Sequence, residues 1–113
     1  MRIRSKLKTI AKGEIHLIPF PFTDLSHSKL RPCIVLGFDK EDVTVVFVTS
    51  VQPKDKKCIL LSPSKDNGIK VTSYIRYTKI ATLDRKMSLG SIGKVSESVH
   101  KVIVEGIEEF FRK

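Results

Sequence analysis

The chain is short of cysteine, of acidic residues and of long apolar runs, and each shortage excludes something. Cys33 and Cys58 are the only cysteines in 113 residues. Two thiols so far apart do not make the dense disulfide framework of a small secreted domain. Cys33 lies in an apolar stretch and reads as a reduced core residue. Neither cysteine has histidine or carboxylate neighbours at metal-ligand spacing, so no metal and no cofactor is expected. No apolar run approaches the ~20 residues that cross a membrane. The basic amino terminus lacks the apolar core of a secretion signal. These absences predict a cytoplasmic protein with no membrane partner. Twelve acidic residues stand against 21 lysines and arginines, a net charge of +9. That imbalance favours a polyanionic partner, nucleic acid first.

The charge is uneven along the chain. Arg2, Arg4, Lys6, Lys8 and Lys12 supply five positive charges before the first strand signal, leaving +4 for the remainder. Residues 1–12 read as a basic arm, either a solvated tail or a nonspecific grip on RNA. Residues 13–113 read as one globular domain around one core, with no internal repeat.

Short strands dominate that domain. Residues 14–20 form an apolar run between Gly13 and Pro21. Residues 30–36 are apolar apart from Arg31, as in a strand buried on both faces. Residues 43–49 are dense in β-branched side chains. Short strands are expected at 58–61 and 92–95, with one strand or two broken ones across 71–83. Turn formers, Asn67-Gly68 among them, occupy 62–68, and 84–90 reads as a turn. The period then changes. Val99, Val102, Ile103, Gly106, Ile107, Phe110 and Phe111 recur at helical spacing, behind Ser96 as N-cap. The pattern predicts a mainly β protein: a small, strongly bent sheet or barrel with a C-terminal helix as its lid.

Three groups of residues carry chemistry. Arg31 stands where a buried strand leaves the polar loop 21–29, and Pro32 holds it extended. A guanidinium there is suited to a phosphate or carboxylate, or simply to an ion pair with Asp24. Thr49 and Ser50 end the third strand with hydroxyls, which also suits ordinary turn chemistry. Tyr74 to Lys79 interleaves aromatics with Arg76 and Lys79. Such a stretch is either a base-stacking surface or a set of half-buried sheet residues.

Taken in order, Lys12-Gly13-Glu14-Ile15, the PFPFTDLSHSKLRPCIVLG run from Pro19, Val48-Thr49-Ser50, Ile80-Ala81-Thr82-Leu83-Asp84 and Ile92-Gly93-Lys94-Val95 resemble the MazF/PemK-like toxins over residues 12–112. The resemblance implies an SH3-like barrel of the CcdB/PemK type, usually a homodimer. It implies a metal-independent endoribonuclease acting on single-stranded RNA, restrained by a cognate antitoxin that masks the cleft. It puts the catalytic roles on Arg31 and Thr49. Many relatives carry glycines and a glutamate before the Arg-Pro pair, whereas this loop reads Asp24 to Lys29 without either, which bears on base preference.

The chemistry is consistent with these residues. RNA carries its own nucleophile, the 2′-hydroxyl, so the protein has to align the backbone, stabilise phosphoryl charge and handle two protons. Arg31 suits the charge and Thr49 the orientation of the phosphate, with Ser50 a weaker contributor. Phe22, Asp24, Ser26 and Ser28 are expected to shape base pockets, and Arg76 and Lys79 to track the strand. His27, with a near-neutral reference pKa, is the candidate for proton transfer or else an exposed loop histidine. The rival readings are a noncatalytic RNA- or protein-binding barrel and a CcdB-like topoisomerase poison.

Overall fold

A computed structural model describes residues 10–20 and 29–113. The elements in chain order are β1 (Glu14–Phe20), β2 (Lys29–Phe38), β3 (Asp42–Thr49), β4 (Ile59–Leu61), β5 (Ser73–Asp84), one 3-10 turn (Arg85–Met87), β6 (Ser91–Lys94) and α1 (Glu97–Arg112). All pairings are antiparallel, and the strands lie side by side in the order β4-β5-β3-β2-β1-β6. The sheet is mainly β architecture curled into a half-barrel, as the resemblance implied.

The densest β-branched run became a central strand for a clear reason. Val43, Val45 and Phe47 of β3 enter one apolar cluster with Ile18, Cys33 and Val35. Val46 and Val48 enter another, with Ile15, Ile34, Ile75 and Ile103. Both faces of β3 are therefore covered, which is why its sequence does not alternate. Each fully buried Val or Ile contributes about 1.5–3 kcal/mol of apolar transfer.

β2 departs from the expectation of burial on both faces. Only Cys33 to Val35 is fully buried, while Leu30 is 49% exposed. The cause is register. Pairing of β2 with β3 begins at Cys33↔Phe47, so residues 30–32 are paired to β1 alone. β5 is one strand rather than two, but its register jumps. Val46 pairs with Ile80 and Phe47 with Arg76, leaving Tyr77, Thr78 and Lys79 as a bulge that bends the strand.

The helix starts where the cap signal put it. Ser96 Oγ accepts from the Val99 amide at 3.2 Å, and Glu97 sits against the positive end of the helix. The apolar stripe is only half used. Val99, Ile103 and Ile107 pack on the first cluster, whereas Val102 and Phe111 remain exposed. Gly106 lies on the Tyr77 ring, where an added Cβ would come within 3.1 Å. Among the described residues no helix is long and apolar enough to cross a membrane.

The half-barrel is drawn together by a loop, not by a further ladder. The segment after β4 folds onto β6, and the Lys94 amide donates to the Asp66 carbonyl at 2.9 Å. Two glycines permit the approach. A Cβ on Gly93 would overlap the Asp66 carbonyl oxygen, and one on Gly68 would overlap that of Ile92. Gly68 also has φ of +69°, a left-handed conformation that favours glycine. Gly37, in contrast, has open space where its Cβ would be. Gly93→Ala and Gly68→Ala should each cost about 3 kcal/mol or more, lowering the thermal midpoint by roughly 10 °C or more. Gly37→Ala should leave it within a few degrees. Circular dichroism melts of the three variants check this contrast.

Candidate active site

The neighbouring ends of β2 and β3, just past the last pair that joins them, build the site. Continuing their register two residues past Cys33↔Phe47 brings Arg31 and Thr49 to the same end of the sheet. Both line one cleft of about 310 Å³. Its volume is at the low end of the ~300–1,000 Å³ usual for small-molecule sites. Ser50 also lines it.

Arg31 is held by what lies under it. Alternation along β2 places it on the face that carries Cys33, and Cys33 pairs with Phe47. The guanidinium carbon lies 5.8 Å from the centre of the Phe47 ring. That is cation–π range, worth roughly 0.5–2 kcal/mol depending on desolvation. The Cys33 thiol donates to the Arg31 carbonyl at 3.5 Å. Burial pushes that thiol up to about 12, and the Arg31 charge offsets only part of the shift. Cys33 is thus a protonated packing residue, not a nucleophile.

Thr49 is buried, and its hydroxyl oxygen accepts from the Val51 amide at 3.1 Å. This local turn spends an oxygen lone pair on the backbone and leaves the hydroxyl proton to be donated. Ordinary strand-end turn chemistry and a place in the cleft lining thus coincide at Thr49.

The remaining walls are mostly apolar. Leu17, Pro32 and Val48 come from the strands, and Ile69 and Ile92 from the seam between the loop and β6. Lys70 is the second cation that lines the cleft, and among the described residues no carboxylate does. The sequence offered no reason to single out Lys70. Its place depends on the seam, a contact between residues some 25 positions apart, and only the nearby Asn67-Gly68 pair hinted that the chain turns there.

Other expected residues lie elsewhere. Arg76 pairs with Asp55 at 3.2 Å and stands opposite Phe47 in the ladder. Lys79 is exposed in the β5 bulge. Neither lines the cleft. Phe22, Asp24, Ser26, His27 and Ser28 fall outside the described residues.

Residues 11–111 match the family of PemK-like, MazF-like toxins of type II toxin–antitoxin systems. The chain belongs to that family. Solved structures of MazF proteins share its fold. The Mycobacterium tuberculosis toxin MazF-mt6 is 19% identical, with 88% of this chain and 96% of that chain covered, at a TM-score of 0.70. An endoribonuclease in complex with its cognate antitoxin, from a mycobacterial species, is 17% identical over 88% of this chain and 91% of that one, at 0.67. A mycobacterial endoribonuclease is 18% identical over 85% of each chain, at 0.62. No curated protein matches the chain in sequence.

This MazF-like chain holds a second polar cluster that looks catalytic and is not placed to be. His16 Nδ1 lies 2.7 Å from Ser88 Oγ, and His16 Nε2 lies 2.9 Å from Glu14 Oε1. Serine, histidine and carboxylate stand in the order of a hydrolase triad. Ser88, however, is only 1% exposed, and its oxygen accepts from the Gly90 amide. The row instead ties β1 to the segment entering β6. Among the described residues, no group of three His, Cys, Asp or Glu side chains is placed to hold a metal.

Two outcomes follow from these contacts. Ser88→Ala removes a buried partner of His16 and should cost about 1–3 kcal/mol in urea unfolding. The Cys33 shift has a sign. Unfolded, the thiol ionises near 9.0; folded, it holds its proton to about 12. Between those values the folded state binds more protons, so rising pH favours unfolding, by up to ~1.4 kcal/mol per pH unit. Stability measured from pH 9 to 11 should fall more steeply in the parent than in Cys33→Ala, whose baseline is lower because of the cavity.

Proposed function

We propose that this MazF/PemK-family chain is an endoribonuclease that cuts single-stranded RNA at the Arg31–Thr49 cleft. The observation that carries this reading is the convergence of those two side chains, from two strands, on one cleft whose described lining contains no carboxylate. A phosphodiester there meets donors and positive charge, with no carboxylate among the described lining residues.

The reaction needs no side-chain nucleophile and no metal. The ribose 2′-oxygen attacks the adjacent phosphorus, forming the 2′-O–P bond as the P–O5′ bond breaks. One proton leaves the 2′-hydroxyl and one reaches the departing 5′-oxygen. The products carry a 2′,3′-cyclic phosphate and a 5′-hydroxyl. The planar fork of Arg31 engages two phosphoryl oxygens as their charge grows. Phe47 under the guanidinium limits its swing, so little reorganisation is required at the moment of reaction. The Thr49 hydroxyl donates to a further oxygen and, with Ser50, fixes the phosphate. His27 remains the candidate for proton transfer. Base selection falls to the loop that contains Phe22, Asp24, Ser26 and Ser28, while Arg76 and Lys79 attend the strand outside the cleft.

Regulation follows from the same surface. A solved relative in this fold is an endoribonuclease held by its cognate antitoxin. Here Leu30 and Val71 line the cleft at 49% and 57% exposure, so a partner chain that fills it gains apolar contact while displacing RNA. The homodimer common in the family is the expected assembly.

The test is incubation of the purified protein with single-stranded RNA in EDTA. Cleavage with cyclic phosphate ends is expected. Arg31→Ala should lower kcat/KM about 100- to 1,000-fold, and Thr49→Val about 10- to 100-fold. His27→Ala should flatten one limb of the pH–rate profile. Intact RNA that is still bound would indicate a noncatalytic module, and blocked topoisomerase with intact RNA a poison. Equal activity of the Arg31→Ala variant would remove the mechanism.

A further inference from the structure

We infer that Lys70 is a second phosphate-binding residue of this cleft, holding a phosphate that flanks the one at Arg31. The inference rests on the ribonuclease reading and adds a residue that neither the sequence motifs nor the catalytic pair includes.

Three observations carry it. The first is composition. Among the described residues lining the cleft, Arg31 and Lys70 are the cations and none is a carboxylate. The second is that Lys70 is uncommitted. It is exposed, and it forms no ion pair with any described residue. Arg76, the cation that the aromatic pattern favoured, is tied to Asp55.

The third is that the backbone under Lys70 is fixed on both sides. Before it, the Asn67 side chain accepts from the amides of Ser64 and Ile69 at 3.0 and 2.9 Å and donates to the Ser62 carbonyl at 2.9 Å. Gly68 is pressed against Ile92, so that side cannot shift outward without opening the seam. After it, Ser73 Oγ donates to the Val71 carbonyl at 2.8 Å. A lysine on an unanchored loop would lose much of its attraction to the ordering of the chain. Here only the side chain has to be ordered. A compact ammonium on a flexible stem, set on a fixed lip, suits a backbone phosphate that must be held but not reacted. Arg31, planar and stacked, suits the one that reacts.

The role predicts binding without chemistry. Lys70→Gln should raise KM for RNA cleavage about fivefold and leave kcat within twofold, with Lys70→Arg close to the parent. The direct readout is salt dependence. A mixed-sequence single-stranded oligonucleotide carrying 2′-O-methyl groups cannot be cut and reports binding alone. Its log–log slope of affinity against salt should be shallower by about 0.7 in Lys70→Gln and restored in Lys70→Arg, one phosphate contact on a single strand. An unchanged slope and KM in Lys70→Gln, with a parent that binds and cleaves RNA, overturns the assignment and leaves the ribonuclease standing. A parent that neither binds nor cleaves removes both. A drop in kcat equal to the drop in kcat/KM would also overturn it, since it would place Lys70 at the reacting phosphate.

Discussion

The structure depends on a seam where two backbones touch. Strand pairing runs from β4 to β6 across six strands and stops. What brings the open edges together is the loop after β4 laid on β6, with Lys94 bonded to Asp66 and no side chain at Gly68 or Gly93 to hold the strands off. Backbone contact of this kind is stiff, because neither side has rotamers to adjust. Closing the half-barrel there covers Ile69 and Val95, which belong to the same apolar cluster as Ile34, Val46 and Ile103. The same contact supplies Ile69, Lys70 and Ile92 as a wall of the cleft. Closing the core and shaping the site are thus one event, and a substitution that opens the seam would be felt in both.

The opposite wall comes from an interruption of pairing. Arg31 stays paired to Ile18 of β1 and Thr49 to Tyr74 of β5, but β2 and β3 do not stay joined to each other to their ends. Pairing between them ends at Cys33↔Phe47, and the two residues beyond it on each strand border open space. Leu30 is exposed for the same reason that Arg31 is accessible. The cost of that break is small, a couple of ladder hydrogen bonds at about 1 kcal/mol each. Phe47 under the guanidinium and the Val51 amide on Thr49 replace part of the lost rigidity.

Legibility in the sequence followed the range of the interactions. The helix start needed only Ser96 and the apolar period behind it, and the cap is where those residues put it. β3 was plain because β-branched side chains on both faces leave no other pattern. The break in β2 was not, since Leu30 to Leu36 looks uniformly apolar, and nothing local says that β3 joins it three residues late. The β5 bulge, the row from Glu14 through His16 to Ser88 and the glycine seam all join residues far apart in the chain. Half of the helical stripe misled for a related reason. Val102 and Phe111 have the right period, but both are exposed, and period alone does not say which positions the sheet covers. That Arg31 and Thr49 share one cleft was legible through Pro32, the strand ends and the family resemblance, whereas the place of Lys70 in its wall was not, because in the sequence it is one cation among many.

Total charge is a weak guide to where an anion will sit. The chain carries +9, yet five of those charges lie in residues 1–12 and most of the rest are dispersed. Exposed charges more than about 8 Å apart are largely screened at physiological salt. They raise the rate of encounter with a polyanion without choosing its register. A second cleft, of about 280 Å³, shows the difference. It has three cations, Lys40, Arg85 and Lys86, but also Glu41, Asp42 and Asp84, and the signs cancel. The cleft at Arg31 has two cations and, among its described lining, no carboxylate. What distinguishes that cleft is that the cations of its described lining stand on backbone held by the glycine seam and by the neighbouring ends of β2 and β3.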